Sequence, residues 1–149
     1  MQVLFINGSP NKTGNTAALA KTMMGGMAYE TLNLVDYKIY AFGQSFPDDQ
    51  FREVVDRMME ADVVILGSPV YWHNMCGAVR NLLDRFYGAV EEGAFKGRRL
   101  FLLYQGAAPE KWMLDAGEYT VSRFCSIAGF QYMGMANNRQ QAKKLGEKL

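Results

Sequence analysis

The chain has 149 residues, 49% of them hydrophobic and 21% charged, which excludes extended disorder and any need for covalent staples, since a chain of this size buries roughly 70% of its unfolded surface. Sixteen basic against fifteen acidic residues leave a formal charge of +1, so no overall field gathers nucleic acid or an anionic membrane. Cys76 and Cys125 stand 49 positions apart, which is neither a disulfide framework nor a thiolate metal motif, and no stretch approaches the roughly 20 apolar residues that span a bilayer.

The opening Met1-Gln2-Val3-Leu4-Phe5-Ile6 has no basic n-region and meets the turn residues Asn7-Gly8-Ser9-Pro10 too soon for a signal sequence, so a cytoplasmic protein with reduced thiols is expected. Val3 to Ile6 reads as a first strand buried on both faces. Gly8 to Thr16 follows as a loop, and Thr16 to Met24 as a helix. Thr31 to Asp36 is a weaker second strand. Phe51, Val54, Val55, Met58 and Met59 recur at helical spacing, as do Val79, Leu82, Leu83, Phe86 and Tyr87. Between these helices lie a third strand, Val63 to Leu66, and a second rich loop, Gly67 to Gly77. Leu100 to Tyr104 reads as a fourth strand, Trp112 to Ala128 as a helix with Gly117, Val121, Phe124, Cys125 and Ala128 on one face, and Phe130 to Met135 as a fifth strand interrupted by Gly134. The last twelve residues, Asn138 to Leu149, carry four basic residues and one acid. Their thin stripe of Ala142, Leu145 and Leu149, weakened by Gly146, predicts a short, partly frayed final helix.

Alternating strands and helices imply right-handed crossovers, hence one α/β domain over residues 1–149: a doubly wound, five-stranded parallel sheet with helices on both faces. The order 2-1-3-4-5 is favoured because it places the two richest loops side by side at the switch point, whereas order 3-2-1-4-5 leaves the second loop outside the crevice.

The first loop, Gly8-Ser9-Pro10-Asn11-Lys12-Thr13-Gly14-Asn15-Thr16, puts hydroxyls and carboxamides beside the unpaired N–H groups of a helix start, which suits a phosphate. Its glycines are separated by five residues and followed by Asn15-Thr16, so it matches neither the dinucleotide fingerprint nor the P-loop. Asp36, 22 residues beyond Gly14, is then an ordinary strand-end acid rather than a ribose ligand. The second loop supplies rings and backbone amides through Pro69, Val70, Tyr71, Trp72, His73 and Asn74. A phosphate joined to a flat heteroaromatic ring fits both loops, with flavin mononucleotide (FMN) foremost.

These two segments, together with Leu82-Leu83-Asp84-Arg85, make residues 2 to 137 resemble the NADPH-dependent FMN reductase family of flavodoxin-like proteins. The resemblance implies that Ser9, Asn11, Thr13, Gly14, Asn15 and Thr16 hold the FMN phosphate. It implies further that Pro69 to Asn74 border the isoalloxazine and that Gln105, Gly106 and Ala107 close the pocket. It also implies a homodimer, NADPH or NADH as co-substrate, and a small-molecule electron acceptor such as free flavin or a quinone. Many relatives carry an Arg where Asn11 stands, so Lys12 is the candidate to compensate. Some hold an iron–sulfur centre on cysteines after the second strand, but residues 37–50 here contain none.

Flavin chemistry asks the protein to orient donor and acceptor rather than to supply a general base. The single histidine, His73, is a subsidiary proton-donor candidate, with loop packing as its expected role. Cys76 is expected to be a buried inert thiol; Phe46 and Trp112 are placed where they could stack on nicotinamide or substrate, but packing in the core or an interface is the expected role of each. The alternative function is a flavodoxin-type electron carrier without a substrate of its own, and the near-neutral charge favours the enzyme.

Overall fold

Apolar runs become the strands of one sheet, and the amphipathic runs between them become its covering helices. The computed structural model, which describes residues 1–149, has the order β1 (Val3–Asn7), α1 (Asn15–Met24), β2 (Glu30–Asn33), α2 (Phe51–Glu60), β3 (Val63–Tyr71), β4 (Asn74–Met75), α3 (Gly77–Arg85), β5 (Arg99–Gln105), α4 (Lys111–Ala128), β6 (Gln131–Ala136) and α5 (Arg139–Gly146). Five strands are parallel in the order β2-β1-β3-β5-β6, the expected 2-1-3-4-5 arrangement, and the short β4 adds a sixth, antiparallel to β3.

Side chains alternate across a strand, so each run serves two cores. Leu4, Ile6, Val64, Leu66, Leu100 and Leu102 face α2, α3 and α4, whereas Val3, Phe5, Val63, Ile65, Phe101 and Leu103 face α1 and α5. This is why the strands read as continuous apolar runs. The helical spacing holds through Val54, Val55 and Met58 of α2 and Val79, Leu82 and Leu83 of α3. Tyr87 lies beyond α3 and is exposed, so the helical face ends at Phe86.

Several boundaries differ from the sequence reading for physical reasons. The second strand stops at Asn33, because Leu34–Asp36 coils into a 3₁₀ turn whose closing bond runs from the Tyr37 amide to the Leu34 carbonyl. The third strand continues to Tyr71, because its partner β5 extends to Gln105 and β4 then takes up the pairing. The fifth strand carries an extra residue: Leu100 pairs with Tyr132 but Leu102 with Met135, a bulge accommodated by Gly134 at φ 118°.

The final helix is not frayed over its length. Asn138 caps it through a 2.9 Å bond from the Gln141 amide, and Ala142 and Leu145 are buried against α1. Gly146 assists rather than weakens this packing, since a Cβ there would collide with the Met23 carbonyl. The connection 37–50 is irregular yet anchored to α3. Arg85 donates to both carboxylate oxygens of Asp49 and, at 3.0 Å, to the Tyr40 carbonyl. Phe46 on this connection is 47% exposed and lies against Tyr40 instead of entering the core.

Candidate functional site

The carboxyl ends of β1, β3 and β5 present three loops side by side. Asn7 ends β1 fully buried, and its side chain is held at both ends: Nδ2 donates to Asn33 Oδ1 at 3.0 Å, and Oδ1 accepts the Ser9 amide at 3.1 Å. The turn continues by similar local bonds, from the Asn11 amide to Ser9 Oγ at 3.2 Å and from the Thr13 amide to Asn11 Oδ1 at 3.1 Å. Gly14 then caps α1 without a side-chain bond. The amides of Asn15, Thr16 and Ala17 consequently find no acceptor within the protein, leaving a row of donors at the positive end of the helix dipole.

Close approach of the first two loops depends on glycine. The Gly8 amide donates to the Gly67 carbonyl at 2.8 Å. A Cβ on Gly8 would collide with Val79, and one on Gly67 would come within 2.6 Å of Thr16 Cγ2. Cys76 and Ser68, both buried, clip the second loop to the first. The thiol of Cys76 donates to the Gly8 carbonyl at 3.2 Å, and its amide donates to Ser68 Oγ at 3.0 Å, while that hydroxyl donates to the Pro69 carbonyl at 2.9 Å. Cys76 is therefore buried, as expected, and ties two backbones together.

The second loop is a tight hairpin rather than an open loop. Tyr71 pairs with Asn74, leaving Trp72 and His73 as its two-residue tip with φ of 47° and 65°. Gly106 lies on Val70, its hypothetical Cβ 3.0 Å from Val70 Cβ. Gln105 crosses to the first loop, Nε2 donating to Thr16 Oγ1 at 3.1 Å. Trp112, in the first turn of α4, sits with its ring centroid 5.8 Å from that of His73 and is 54% exposed, so it belongs to the rim and not to the core.

The expected residues therefore gather at one end of the sheet, in unequal ways. Ser9 and Thr16 are buried, with Thr16 Oγ1 already accepting from Gln105. Asn11, Thr13 and Asn15 are exposed on the loop, and Tyr71, Trp72, His73, Asn74 and Ala107 are exposed along the facing edge. Lys12 does not stand free for an anion: it pairs at 2.7 Å with Asp36, which lies in the 3₁₀ turn after β2 rather than at a strand end. Beside Asn15 and Gln105 a cavity of about 230 Å³ opens toward Asn138 and Arg139. Two larger cavities, about 300 and 420 Å³, lie away from these loops, at the amino end of β1 and beside Phe86 and Phe124. The gathered donors therefore mark the candidate site better than cavity size does.

Sequence reasoning missed Asn7, Asn33 and Ser68, which position the loops. Only Asn7 gave a signal, as the polar residue that ends an apolar strand, whereas Ser68 lies within β3 and Asn33 ends a strand of mixed residues. Below these loops, the Tyr104 hydroxyl is buried without a partner, and burial pushes this phenol up to about 12. Burial likewise raises the Cys125 thiol to about 12, which keeps it protonated and inert.

The sheet order and the helices on both faces define a flavodoxin-like α/β protein with three loops gathered at the carboxyl ends of its strands. Residues 1–118 match the model of NADPH-dependent FMN reductase, and the chain belongs to that family. It is 36% identical over 98 residues to an iron–sulfur flavoprotein of Archaeoglobus fulgidus, covering 57% of this chain and 48% of the relative. It is 27% identical over 103 residues to YwqN of Bacillus subtilis, named as an NAD(P)H-dependent FMN-containing oxidoreductase, covering 64% of this chain and 57% of that one. The chain thus spans about half the length of the curated relatives it matches. In fold it is similar to the Trp repressor binding protein of Bacillus subtilis, with a TM-score of 0.74 at 19% identity over 99% of this chain and 98% of the other.

Proposed function

We propose that the chain is an FMN-binding oxidoreductase that takes hydride from NADPH or NADH and delivers electrons to free flavin, a quinone or another small acceptor. The observation that carries this reading is the row of acceptor-free amides at Asn15, Thr16 and Ala17 beside a loop whose one cation is already paired. A phosphate monoester suits that row: neutral donors and a helix terminus receive it, and loop residues 8–16 contain no carboxylate to repel it.

In this reading Ser9, Asn11, Thr13, Gly14, Asn15 and Thr16 hold the phosphate, with Thr16 acting mainly through its amide because its hydroxyl serves Gln105. Pro69, Val70, Tyr71, Trp72, His73 and Asn74 flank the ring system on one side, and Gln105, Gly106 and Ala107 flank it on the other. When bound, FMN supplies a two-electron carrier able to accept hydride from a nicotinamide. The chain's own part is to orient donor and acceptor over the strand ends and to exclude water with the hairpin. The whole chain works as one FMN-binding unit, located in the cytoplasm and assembled as a homodimer. The reduced, buried cysteines support that location, and exposed Phe42 and Tyr87 support an interface.

The deciding experiment adds FMN to purified protein, removes free ligand by desalting, and then adds NADPH or NADH without oxygen. Retained yellow colour that bleaches within seconds is expected. Retained FMN that neither nicotinamide bleaches assigns the chain to electron carriage, and loss of FMN on desalting overturns the reading.

A further inference from the structure

Arg139 opens α5 with its charge at the unfavourable end of the helix. A cation in the first turn opposes the helix dipole, and no acidic residue in that turn offsets it. Arg139 is exposed and forms no ion pair. Its position is nevertheless fixed. Asn138 Oδ1 accepts the Gln141 amide at 2.9 Å, Gln141 Oε1 accepts the Asn137 amide at 2.9 Å, and Ala142 and Leu145 are buried against α1. A cation held firmly where it works against its own helix is explained by what it binds rather than by stability.

The cavity of about 230 Å³ beside it is shared between two helices, with Asn15 of α1 in one part of the lining and Asn137, Asn138 and Arg139 in the other. That volume is several times the roughly 30 Å³ share of one liquid water. On the α5 side the acceptors are occupied and donors remain. Asn138 Oδ1 takes the Gln141 amide, and Asn137 Oδ1 takes Asn138 Nδ2 at 2.9 Å. Asn137 Nδ2 and the Arg139 guanidinium are left without a partner in the chain. Residues 8–24, 99–109 and 131–146, which supply every lining residue, contain no carboxylate.

We propose that Arg139, with Asn137 and Asn15, receives a phosphate monoester in this cavity and supplies the free cation that loop 8–16 lacks. The inference rests on the FMN-binding reading and adds a charge to it. Asn15 is the link, because its amide belongs to the acceptor-free row of α1 and the residue also lines the cavity of Arg139. Asn137, Asn138 and Arg139 stand beyond residues 1–118, the part that matches the family model. A guanidinium presents paired N–H donors to phosphate oxygens, and its charge favours a dianion over an uncharged hydroxyl. Two molecules of the proposed reaction carry such a group, FMN at its 5′ end and NADPH at its 2′ position. Riboflavin and NADH are the counterparts that lack it.

The test compares the full chain with Arg139→Gln, which removes the charge, and Arg139→Lys, which keeps it. Flavin fluorescence reads the affinities for FMN and riboflavin, and kcat/KM for NADPH and NADH is measured on the FMN-loaded protein. In Arg139→Gln the Kd of FMN is expected to rise about tenfold while that of riboflavin stays within about twofold. Arg139→Lys is expected to retain most of the preference for FMN. Added salt is expected to weaken FMN binding more in the unmodified protein than in Arg139→Gln. The melting temperature of ligand-free Arg139→Gln is expected to be unchanged or slightly higher, because an unfavourable contact with the dipole is removed. That result separates loss of the cation from loss of the fold.

A fall of about tenfold in the NADPH:NADH ratio of kcat/KM, with the preference for FMN over riboflavin intact, supports the site and assigns it to the 2′-phosphate. Unchanged preferences for both FMN and NADPH in Arg139→Gln overturn the proposal. Equal weakening of FMN and riboflavin also overturns it, by giving Arg139 a structural role. Failure of the unmodified protein to retain FMN overturns the oxidoreductase reading and this inference together, whereas retained FMN with indifferent Arg139 variants overturns this inference alone.

Discussion

At the scale of single residues, close contact does more than composition suggests. Gly117 of α4 lies under the Tyr104 ring, and a Cβ at this position would collide with it. Gly117→Ala should therefore destabilise the fold by about 1–3 kcal/mol despite its better helix propensity, as urea denaturation can read. Tyr104 itself hides a hydroxyl without a partner. Tyr104→Phe should be neutral or stabilising by about 1 kcal/mol in the same assay, because an unmet buried donor costs more than its removal. Asp49 illustrates a charge whose environment is legible only in three dimensions. Its bonds from Arg85 hold its carboxyl down to about 2, against an ordinary value of 3.8. The depressed value means that the ionised form is favoured by folding. The contribution, on the order of 2 kcal/mol, is present above about pH 4 and lost as pH falls toward 2. Thermal melts from pH 6 down to pH 2 should lose part of this acid dependence in Arg85→Ala, which at neutral pH should itself be less stable.

At the scale of elements, the strands and helices followed from pattern, and their ends did not. Helical spacing placed α2 and α4 within a residue or two. The extension of β3 to Tyr71 depended on how far β5 ran beside it, which no local propensity encodes. The terminal helix shows the same division. Its thin stripe read as weak because the surface it covers, α1, was not visible in the sequence. Asn138→Ala should cost about 1 kcal/mol by removing the cap. Gly146→Ala should cost more by forcing α5 away from the Met23 carbonyl. Loss of α1 amide protection in hydrogen exchange would show that the damage reaches its neighbour.

At the scale of the whole molecule, the sheet order gathers loops that are more than fifty residues apart in the chain at one end of the sheet. Binding there stabilises the folded state by mass action, by about 2.7 kcal/mol at a ligand concentration one hundred times Kd. Saturating FMN should accordingly raise the melting temperature by roughly 5–10 °C. Riboflavin, which lacks the phosphate, should raise it much less. Equal shifts for the two would remove the role assigned to the amides of Asn15, Thr16 and Ala17.

The sequence by itself determined the fold class, the parallel order and the two principal loops, because buried parallel strands and glycine-rich turns leave patterns in adjacent residues. The likeness of those loops to a reductase family was legible for the same reason. Only the tertiary structure decided how each loop residue is used. Lys12 went to Asp36, the Thr16 hydroxyl to Gln105, and the Cys76 thiol to the Gly8 carbonyl. Trp72 and Trp112 went to one exposed rim instead of the core. Each outcome depends on a partner distant in sequence, and a side chain's role is set by the partner that reaches it first in space.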